Sequence, residues 1–213
     1  MVGGDAIELD VEVGAEAALL LTTQGSTKVY RGASSQTMRA SVDGLLVSVP
    51  EPIACFRDAR YQQESSVSLG PSGTAVLVEG FTSGRAAHGD RWDFACLTLR
   101  TNLHREGRAI LRDATSLDRD ALPIAPRFGA MDAFFTIVAD GPMVSPLLDG
   151  LLADRTPEPA LVVAASRLGN TGGNTGAIVR VAARSPALAA EEVRRRLRNL
   201  SDICGGNPWS GRR

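Results

Sequence analysis

Residues 6–13 read Ala-Ile-Glu-Leu-Asp-Val-Glu-Val, an alternation of apolar and acidic side chains that indicates the fold class. The apolar side chains are Ile7, Leu9, Val11 and Val13, and the acidic ones are Glu8, Asp10 and Glu12. Successive side chains of a β-strand point to opposite faces, so this period of two predicts a half-buried strand.

Similar short runs follow along the chain, separated by clusters of Gly, Pro, Asp and Ser. They cover residues 17–22, 37–42, 45–49, 66–69, 74–81, 92–100, 109–112, 133–139, 161–166 and 177–182. This spacing is typical of an all-β sandwich, barrel or helix.

Only two segments have a helical period. Residues 142–155 form a short apolar stripe, and a better formed helix begins after Ser185, which can cap it, with Pro186 in the first turn. The basic run at residues 194–198 is expected to be a solvated face. No break in composition divides the chain, so we expect a single domain over residues 1–213, with a C-terminal helix and tail from about residue 185 to residue 213.

Charge and composition exclude several classes of function. Lys plus Arg number 23 and Asp plus Glu number 24, so the net charge of −1 provides no field for a polyanion or a membrane surface. No apolar run approaches the roughly 18 to 20 residues of a membrane span, and the N-terminus does not read as a leader. We therefore expect a cytoplasmic protein with no nucleic-acid or membrane partner.

Several segments contain residues typical of catalytic or binding sites, but their sequence context favours a structural interpretation. The glycine-rich run at residues 168–176 lacks the Lys and the following helix of a phosphate loop, and it is typical of a hairpin turn. His88 lies near Asp90, but no nucleophile elbow accompanies them. The two histidines and three scattered cysteines lack the spacing of metal ligands. The sequence therefore indicates neither an enzyme nor a tight metal site.

Residues 19–31, Leu-Leu-Leu-Thr-Thr-Gln-Gly-Ser-Thr-Lys-Val-Tyr-Arg, carry an apolar strand directly into a dense polar segment. Together with Gly-Gly-Asp at residues 3–5, this segment resembles the GGD and LLTTx(A/G)(A/S)TKVYRS blocks of the urease accessory protein D family, called H in some species. Residues 46–56 resemble the family's LEWLPQPTIPF block, and residues 79–92 resemble its E…GRxxxGExF block. Family members carry further strands before GGD, so the chain resembles a short form of the family.

The resemblance implies a mainly β fold of stacked, twisted antiparallel sheets, similar to a β-helix, with two short α-helices. It also implies a non-catalytic scaffold that binds urease accessory protein F and brings the GTPase accessory protein G, with its nickel, to apo-urease. An internal polar passage for Ni²⁺ is a further implication, with the ion bound transiently rather than as a tight cofactor.

Ten residues are candidates for this passage or for its support. Asp5, Thr23, Ser26, Thr27, Glu79 and Asp90 would line it with oxygen atoms, which solvate a divalent cation without chelating it strongly. Lys28, Tyr30, Arg31 and Arg85 would neutralise the carboxylates and fix the strand register. An equally open alternative is that all ten form a buried hydrogen-bond network with no transport role.

Two other classes of protein remain open at this point. A β-rich chain without a catalytic signature also suits a carbohydrate- or peptide-binding β-module without a urease role. Such modules usually expose aromatic side chains on one face, and only 5% of these residues are aromatic. A hydrolase that uses His88 and Asp90 is the third class.

Overall fold

A computed structural model of the chain describes residues 1–168 and 176–209. The strands in this part of the chain are β1 (Ala6–Val13), β2 (Ala18–Leu21), β3 (Thr27–Val29), β4 (Gly32–Val42), β5 (Leu45–Ser48), β6 (Ile53–Cys55), β7 (Ala59–Leu69), β8 (Thr74–Thr82), β9 (Gly84–Arg85), β10 (Asp90–Arg91), β11 (Cys96–Arg105), β12 (Arg108–Asp118), β13 (Ala133–Asp140), β14 (Leu161–Leu168) and β15 (Gly176–Ala183). The helices are α1 (Ala125–Phe128), α2 (Ser145–Leu152), α3 (Pro186–Arg196) and α4 (Leu200–Cys204), with 3₁₀ turns at Ala86–His88 and Pro142–Val144. The prediction of a mainly β fold is confirmed.

The helices differ in number from the two that were predicted. The two predicted segments contain α2 and α3, whereas α1 and α4 were not predicted. They have 4 and 5 residues, which is too short for a period of 3.6 residues to show in the sequence. No helix among the described residues has both the length and the apolar character needed to cross a membrane.

The strands form two large sheets and a small ribbon. The first sheet has the order β1-β4-β7-β11-β12, and the second has the order β14-β15-β13-β8-β5-β2, with β6 also pairing with β8 and β3 with β6. Strands β9 and β10 form the ribbon. The predicted turn at residues 169–175 lies outside the described residues, but the flanking strands β14 and β15 pair antiparallel, as a hairpin requires.

Strand direction corrects the expectation of antiparallel sheets. Strands β1, β4, β7 and β11 pair in parallel, and so do β2, β5 and β8. Antiparallel pairing is found between β11 and β12 and among β8, β13, β15 and β14. The chain visits the first sheet, crosses to the second and returns one strand further along, so equivalent strands of successive turns run in the same direction, as in a β-helix.

Apolar side chains between the two sheets form two separate clusters. One contains Leu77 of β8 and Leu103 of β11, and the other contains Phe81 of β8 and Leu99 of β11. A third cluster packs the outer face of the second sheet against the helices, with Ile137 of β13 and Val193 of α3 among its members. The core is therefore interrupted between the sheets, at the level between Leu77 and Phe81.

Helix α3 corrects the expectation of a fully solvated basic face. Arg196 and Glu192 of this helix have side chains 1% and 2% exposed, and Arg196 Nε donates to Glu192 Oε1 at 2.8 Å. Arg196 Nη1 also donates to the Leu151 carbonyl oxygen at the end of α2, at 2.6 Å. Arg194 and Arg198 are exposed as expected. One arginine of the run therefore joins α3 to α2 because its guanidinium satisfies carbonyl groups at the C-terminal end of that helix.

Candidate functional site

Glu79 occupies the interruption between the two apolar clusters. It lies on β8 and faces the first sheet, from which three side chains donate hydrogen bonds to it. Its Oε1 accepts from Gln63 Nε2 at 3.2 Å and from Ser65 Oγ at 3.1 Å, and its Oε2 accepts from Thr101 Oγ1 at 2.7 Å. A carboxylate of the second sheet is thus held by neutral donors of the first.

Local sequence explains why these polar groups meet. On β8, Glu79 lies between the inward-facing Leu77 and Phe81, each two residues away. On β11, Thr101 lies in the same way between Leu99 and Leu103. Glu79 and Thr101 therefore each interrupt a run of apolar residues on the inward face of their strand.

The polar row continues across both sheets. On the second sheet Glu79 pairs in register with Thr136, which pairs with Arg180, and on the first sheet Ser65 pairs with Thr101, which pairs with Asp113. Arg180 Nη2 donates to Asp113 Oδ1 at 2.6 Å and closes the row at its far end. We call this set the polar layer: Gln63, Ser65, Glu79, Thr101, Asp113, Thr136 and Arg180.

Burial raises the pKa of Glu79 above its ordinary value, and the negative charge of Asp113 acts in the same direction. The hydrogen bonds from Thr101, Gln63 and Ser65 oppose this rise without cancelling it. The carboxylate therefore accepts several hydrogen bonds, but none of the groups that shift its pKa is positively charged. A cation beside it would stabilise its ionised form.

A cavity of about 310 Å³ leads to Glu79 from one side. It lies between the two sheets, and Ile7 of β1 and Leu21 of β2 line it, together with Thr23 and Thr27. Strands β1 and β2 are the last strands of their sheets at this side, and Ile7 is 41% exposed. The cavity therefore opens between these two edge strands and has Glu79 at its inner end.

The structure brings three of the ten predicted site residues to this cavity: Thr23, Thr27 and Glu79. The Thr23 hydroxyl oxygen accepts a hydrogen bond from the Glu51 backbone N–H at 2.9 Å, which fixes the loop after β2 against the loop after β5. The polar segment after β2 thus supplies three threonines to the wall of the cavity, Thr22 as well as Thr23 and Thr27.

Three further predicted residues meet at a different place. Arg85 and Arg57 both pair with the buried Asp90, with an Arg57 Nη2 to Asp90 Oδ1 distance of 2.8 Å. The Arg85 guanidinium lies 4.7 Å from the centre of the Phe56 ring, and the Tyr30 ring meets the same ring edge-on at 5.1 Å. This ion-pair and aromatic group is separate from the residues that line the cavity.

The other four predicted residues are exposed and line neither the cavity nor the polar layer. The Asp5 carboxylate accepts a hydrogen bond from the Val2 backbone N–H at 2.7 Å, and the N-terminal ammonium donates to the Lys28 carbonyl oxygen at 2.6 Å. Ser26 and Arg31 lie in the loops on either side of β3.

Sequence reasoning did not propose Gln63, Ser65, Thr101, Thr136, Asp113 or Arg180 as site residues. A usable signal was present, since a polar residue in the inward phase of an alternating strand is unusual. Thr101 breaks the inward series Leu97, Leu99, Leu103 in this way. Neither the hydrolase pair nor a metal cluster is assembled: His88 is exposed, Asp90 pairs with arginines, and the described residues contain no group of three His, Cys, Asp or Glu placed to hold a metal ion.

Comparison with known proteins identifies related chains. Residues 1–209 match the family described as UreD urease accessory protein. Urease accessory protein UreD of Sorangium cellulosum is 42% identical over 217 residues, which cover 99% of this chain and 68% of that protein. Urease accessory protein UreD of Anaeromyxobacter sp. is 33% identical, with coverage of 99% and 73%, and urease accessory protein D of Arabidopsis thaliana is 28% identical, with coverage of 99% and 82%.

Proposed function

Because this chain belongs to the UreD urease accessory protein family, whose role is in urease maturation rather than catalysis, we propose that it is a scaffold that helps deliver Ni²⁺ to apo-urease. In this proposal the chain docks with accessory proteins F and G, and the ion comes from the GTPase accessory protein G. The ion moves between the two sheets, past Glu79. Family membership leaves no support for the hydrolase or for a β-module without a urease role.

The position of Glu79 is the observation that carries the proposal. Its carboxylate lies at the inner end of an open cavity, accepts three hydrogen bonds from neutral donors and has a raised pKa because of burial. A divalent cation that enters the cavity offsets the cost of ionising this partly buried carboxylate. Glu79 is thus suited to receive a cation.

Transport also requires that the ion be released. Glu79 offers its own carboxylate oxygens, its neighbours Thr101, Ser65 and Gln63 offer hydroxyl and amide oxygens, and the cavity wall adds the hydroxyls of Thr23 and Thr27. Nickel binds imidazole and thiolate ligands more strongly than oxygen ligands of this kind. An oxygen-lined path therefore favours passage over retention.

The test is nickel loading of urease in cells that express the urease genes together with variants of this chain. Glu79→Gln keeps the shape of the side chain and removes its charge, so we expect a several-fold loss of nickel per purified urease, with co-purification of the accessory proteins unchanged. Thr27→Val in the cavity wall is expected to act in the same direction.

Glu64→Gln is the matched control. Glu64 lies on β7 next to Gln63, but its side chain lies on the outer face of the first sheet. Full nickel loading in the Glu79→Gln variant would refute the path past Glu79. Failure of this chain to co-purify with any other urease accessory protein or with urease would refute the scaffold.

A further inference from the structure

The far end of the polar layer is closed by a single ion pair that joins the two sheets. Resting on the proposed function, we propose that the Asp113–Arg180 pair is a gate, in which the Arg180 guanidinium is a displaceable plug over the second opening of the passage. Asp113 is the carboxylate that this plug uncovers when it moves.

The space on the two sides of Glu79 is very unequal. On the side of β1 and β2 the cavity measures about 310 Å³, whereas the space on the other side measures about 10 Å³ and is lined by Glu79, Asp113, Thr115 and Thr136 together with the apolar Phe81, Leu99 and Phe134. A volume of that size holds about one water molecule. A hydrated cation at Glu79 therefore has room behind it and no room ahead of it.

Arg180 does not line this space itself but pairs with Asp113 at its edge, and it can move at low cost. Its side chain is 52% exposed, against 17% for Asp113, so rotation outward places the guanidinium in water. Ion pairs of exposed side chains contribute little to stability. The Asp113–Arg180 ion pair can therefore break without disturbing either sheet.

A second ion pair between the same sheets is held more firmly than the Asp113–Arg180 pair. Arg105 of β11 pairs with Asp140 of β13 at 2.6 Å, and the two side chains are only 14% and 1% exposed. Arg105 also donates to the carbonyl oxygens of Gly70 and Gly73, at 2.9 and 3.1 Å. Arg105 is thus held by backbone as well as by charge, whereas Arg180 has freedom to leave.

Electrostatic interactions favour movement of the cation from Glu79 towards Asp113. While it is paired, the Arg180 guanidinium neutralises Asp113 and repels any cation that approaches from Glu79. The Asp113 charge is also felt at Glu79, where it raises the pKa of that carboxyl, so the two carboxylates are electrostatically coupled. A divalent cation at Glu79 weakens the hold of Arg180 by repulsion, and the freed Asp113 carboxylate then attracts the ion forward.

Chemical accessibility of the narrow space tests the gate in the full chain. Thr136→Cys places a thiol on its wall, and we measure the rate at which 2-aminoethyl methanethiosulfonate, a small cationic reagent, modifies it. The peptide that carries residue 136 contains no native cysteine after cleavage at arginine, so mass spectrometry reports this thiol alone. Thr115→Cys, on the opposite wall, is the second reporter should the first variant not fold.

We expect Arg180→Ala to raise the modification rate roughly fivefold, the factor that corresponds to an exposed ion pair at the upper end of its usual contribution. Arg112→Ala is the matched control, because it removes an exposed guanidinium next to Asp113 on β12 without touching the pair. An equal rise in both variants, or a rise in neither, would overturn the gate.

The gate and the proposed function fail in different ways. Unchanged labelling in the Arg180→Ala variant, with poor nickel loading in Glu79→Gln, removes the gate and leaves the path. Faster labelling in the Arg180→Ala variant, with normal nickel loading in Glu79→Gln, removes the path and with it the role of the gate in delivery.

Discussion

Thr101 of the first sheet donates its hydroxyl hydrogen to Glu79 of the second sheet at 2.7 Å, the shortest of the three hydrogen bonds that this carboxylate accepts from side chains of the first sheet. The bond crosses the interior of the sandwich, where apolar packing is the usual link between sheets. The bond lies between the apolar residues Leu99 and Leu103, so it joins the two sheets at the level where the apolar core is interrupted.

Removing that hydroxyl should destabilise the protein. Thr101→Val keeps the shape of the side chain but leaves Glu79 Oε2 without its donor, so we expect a loss of about 1 to 3 kcal/mol in the free energy of unfolding. Urea denaturation at neutral pH measures it. Thr98→Val on the outward face of β11 is the control, with an expected change within about 0.5 kcal/mol. Equal losses in the two variants would mean that the cross-sheet bond contributes nothing.

Glu79 should make stability depend on pH in the sense opposite to an ordinary salt-bridged carboxylate. Its pKa is raised by burial in the folded chain, so its favourable contribution is complete below the unfolded pKa of about 4.3 and is lost as the pH rises through the folded pKa. Glu79→Gln cannot ionise, so its stability relative to the native chain should increase over that pH range. Thermal melts from pH 4 to pH 8, in steps, measure the difference, and a constant difference would contradict the assignment.

The sequence predicted strands well where one face is apolar. The alternation over residues 6–13 matches β1 at both ends, whereas the run predicted at residues 92–100 is shifted, because β11 begins only at Cys96. Trp92 has a φ of 57°, a left-handed conformation that a bulky aromatic residue rarely adopts and that its sequence does not announce. Strand direction was also not predictable, since alternation is the same in parallel and antiparallel pairs.

For the candidate site, too, local motifs in the sequence indicated some residues, whereas contacts between distant strands could not be predicted. Thr23, Thr27 and Glu79 were proposed through the family resemblance, and they do line one cavity. Asp113 and Arg180 were not proposed, because their neighbourhood depends on two strands that are distant in the chain and belong to different sheets. Their contact follows from the register of the sheets rather than from any local pattern.

Helix α3 provides a prediction of the opposite pH dependence. Burial alone would raise the pKa of Glu192, but hydrogen bonds and charge from Arg195 and Arg196 outweigh it and lower the pKa below its ordinary value. Glu192→Gln leaves the buried Arg196 without its charged partner, so we expect a loss of about 3 to 5 kcal/mol in the free energy of unfolding at neutral pH. The exposed Glu191→Gln is the matched control, with little expected change.

The destabilisation caused by Glu192→Gln should disappear at low pH. A lowered pKa means that the contribution of Glu192 is present above the unfolded pKa of about 4.3 and is lost as the pH falls through the folded pKa. The stability advantage of the native chain over Glu192→Gln should therefore shrink as the pH falls, whereas the stability of Glu79→Gln relative to the native chain should increase as the pH rises. Urea denaturation at several pH values distinguishes the two, and a Glu192→Gln gap that persists in strong acid would argue against the buried ion pair.

Gly44, in the turn between β4 and β5, should tolerate no side chain. A Cβ atom there would lie 2.2 Å from the Ala17 carbonyl oxygen and 2.3 Å from the Gly14 carbonyl oxygen, and both are backbone atoms that cannot rotate away. Leu45 N–H donates to the same Ala17 oxygen at 3.0 Å, so the clash falls on the contact that aligns β2 with β5 beside the cavity.

We therefore expect Gly44→Ala to lower the free energy of unfolding by about 1 to 3 kcal/mol, the usual cost of forcing extra volume into a packed site. Loosening of β2 should also reduce nickel loading of urease, because β2 forms one wall of the cavity. Gly14→Ala is the matched control, since a Cβ atom at that glycine meets nothing within 4 Å. A Gly44→Ala variant as stable as Gly14→Ala in urea would show that the turn can move aside and that β2 is not held at this point.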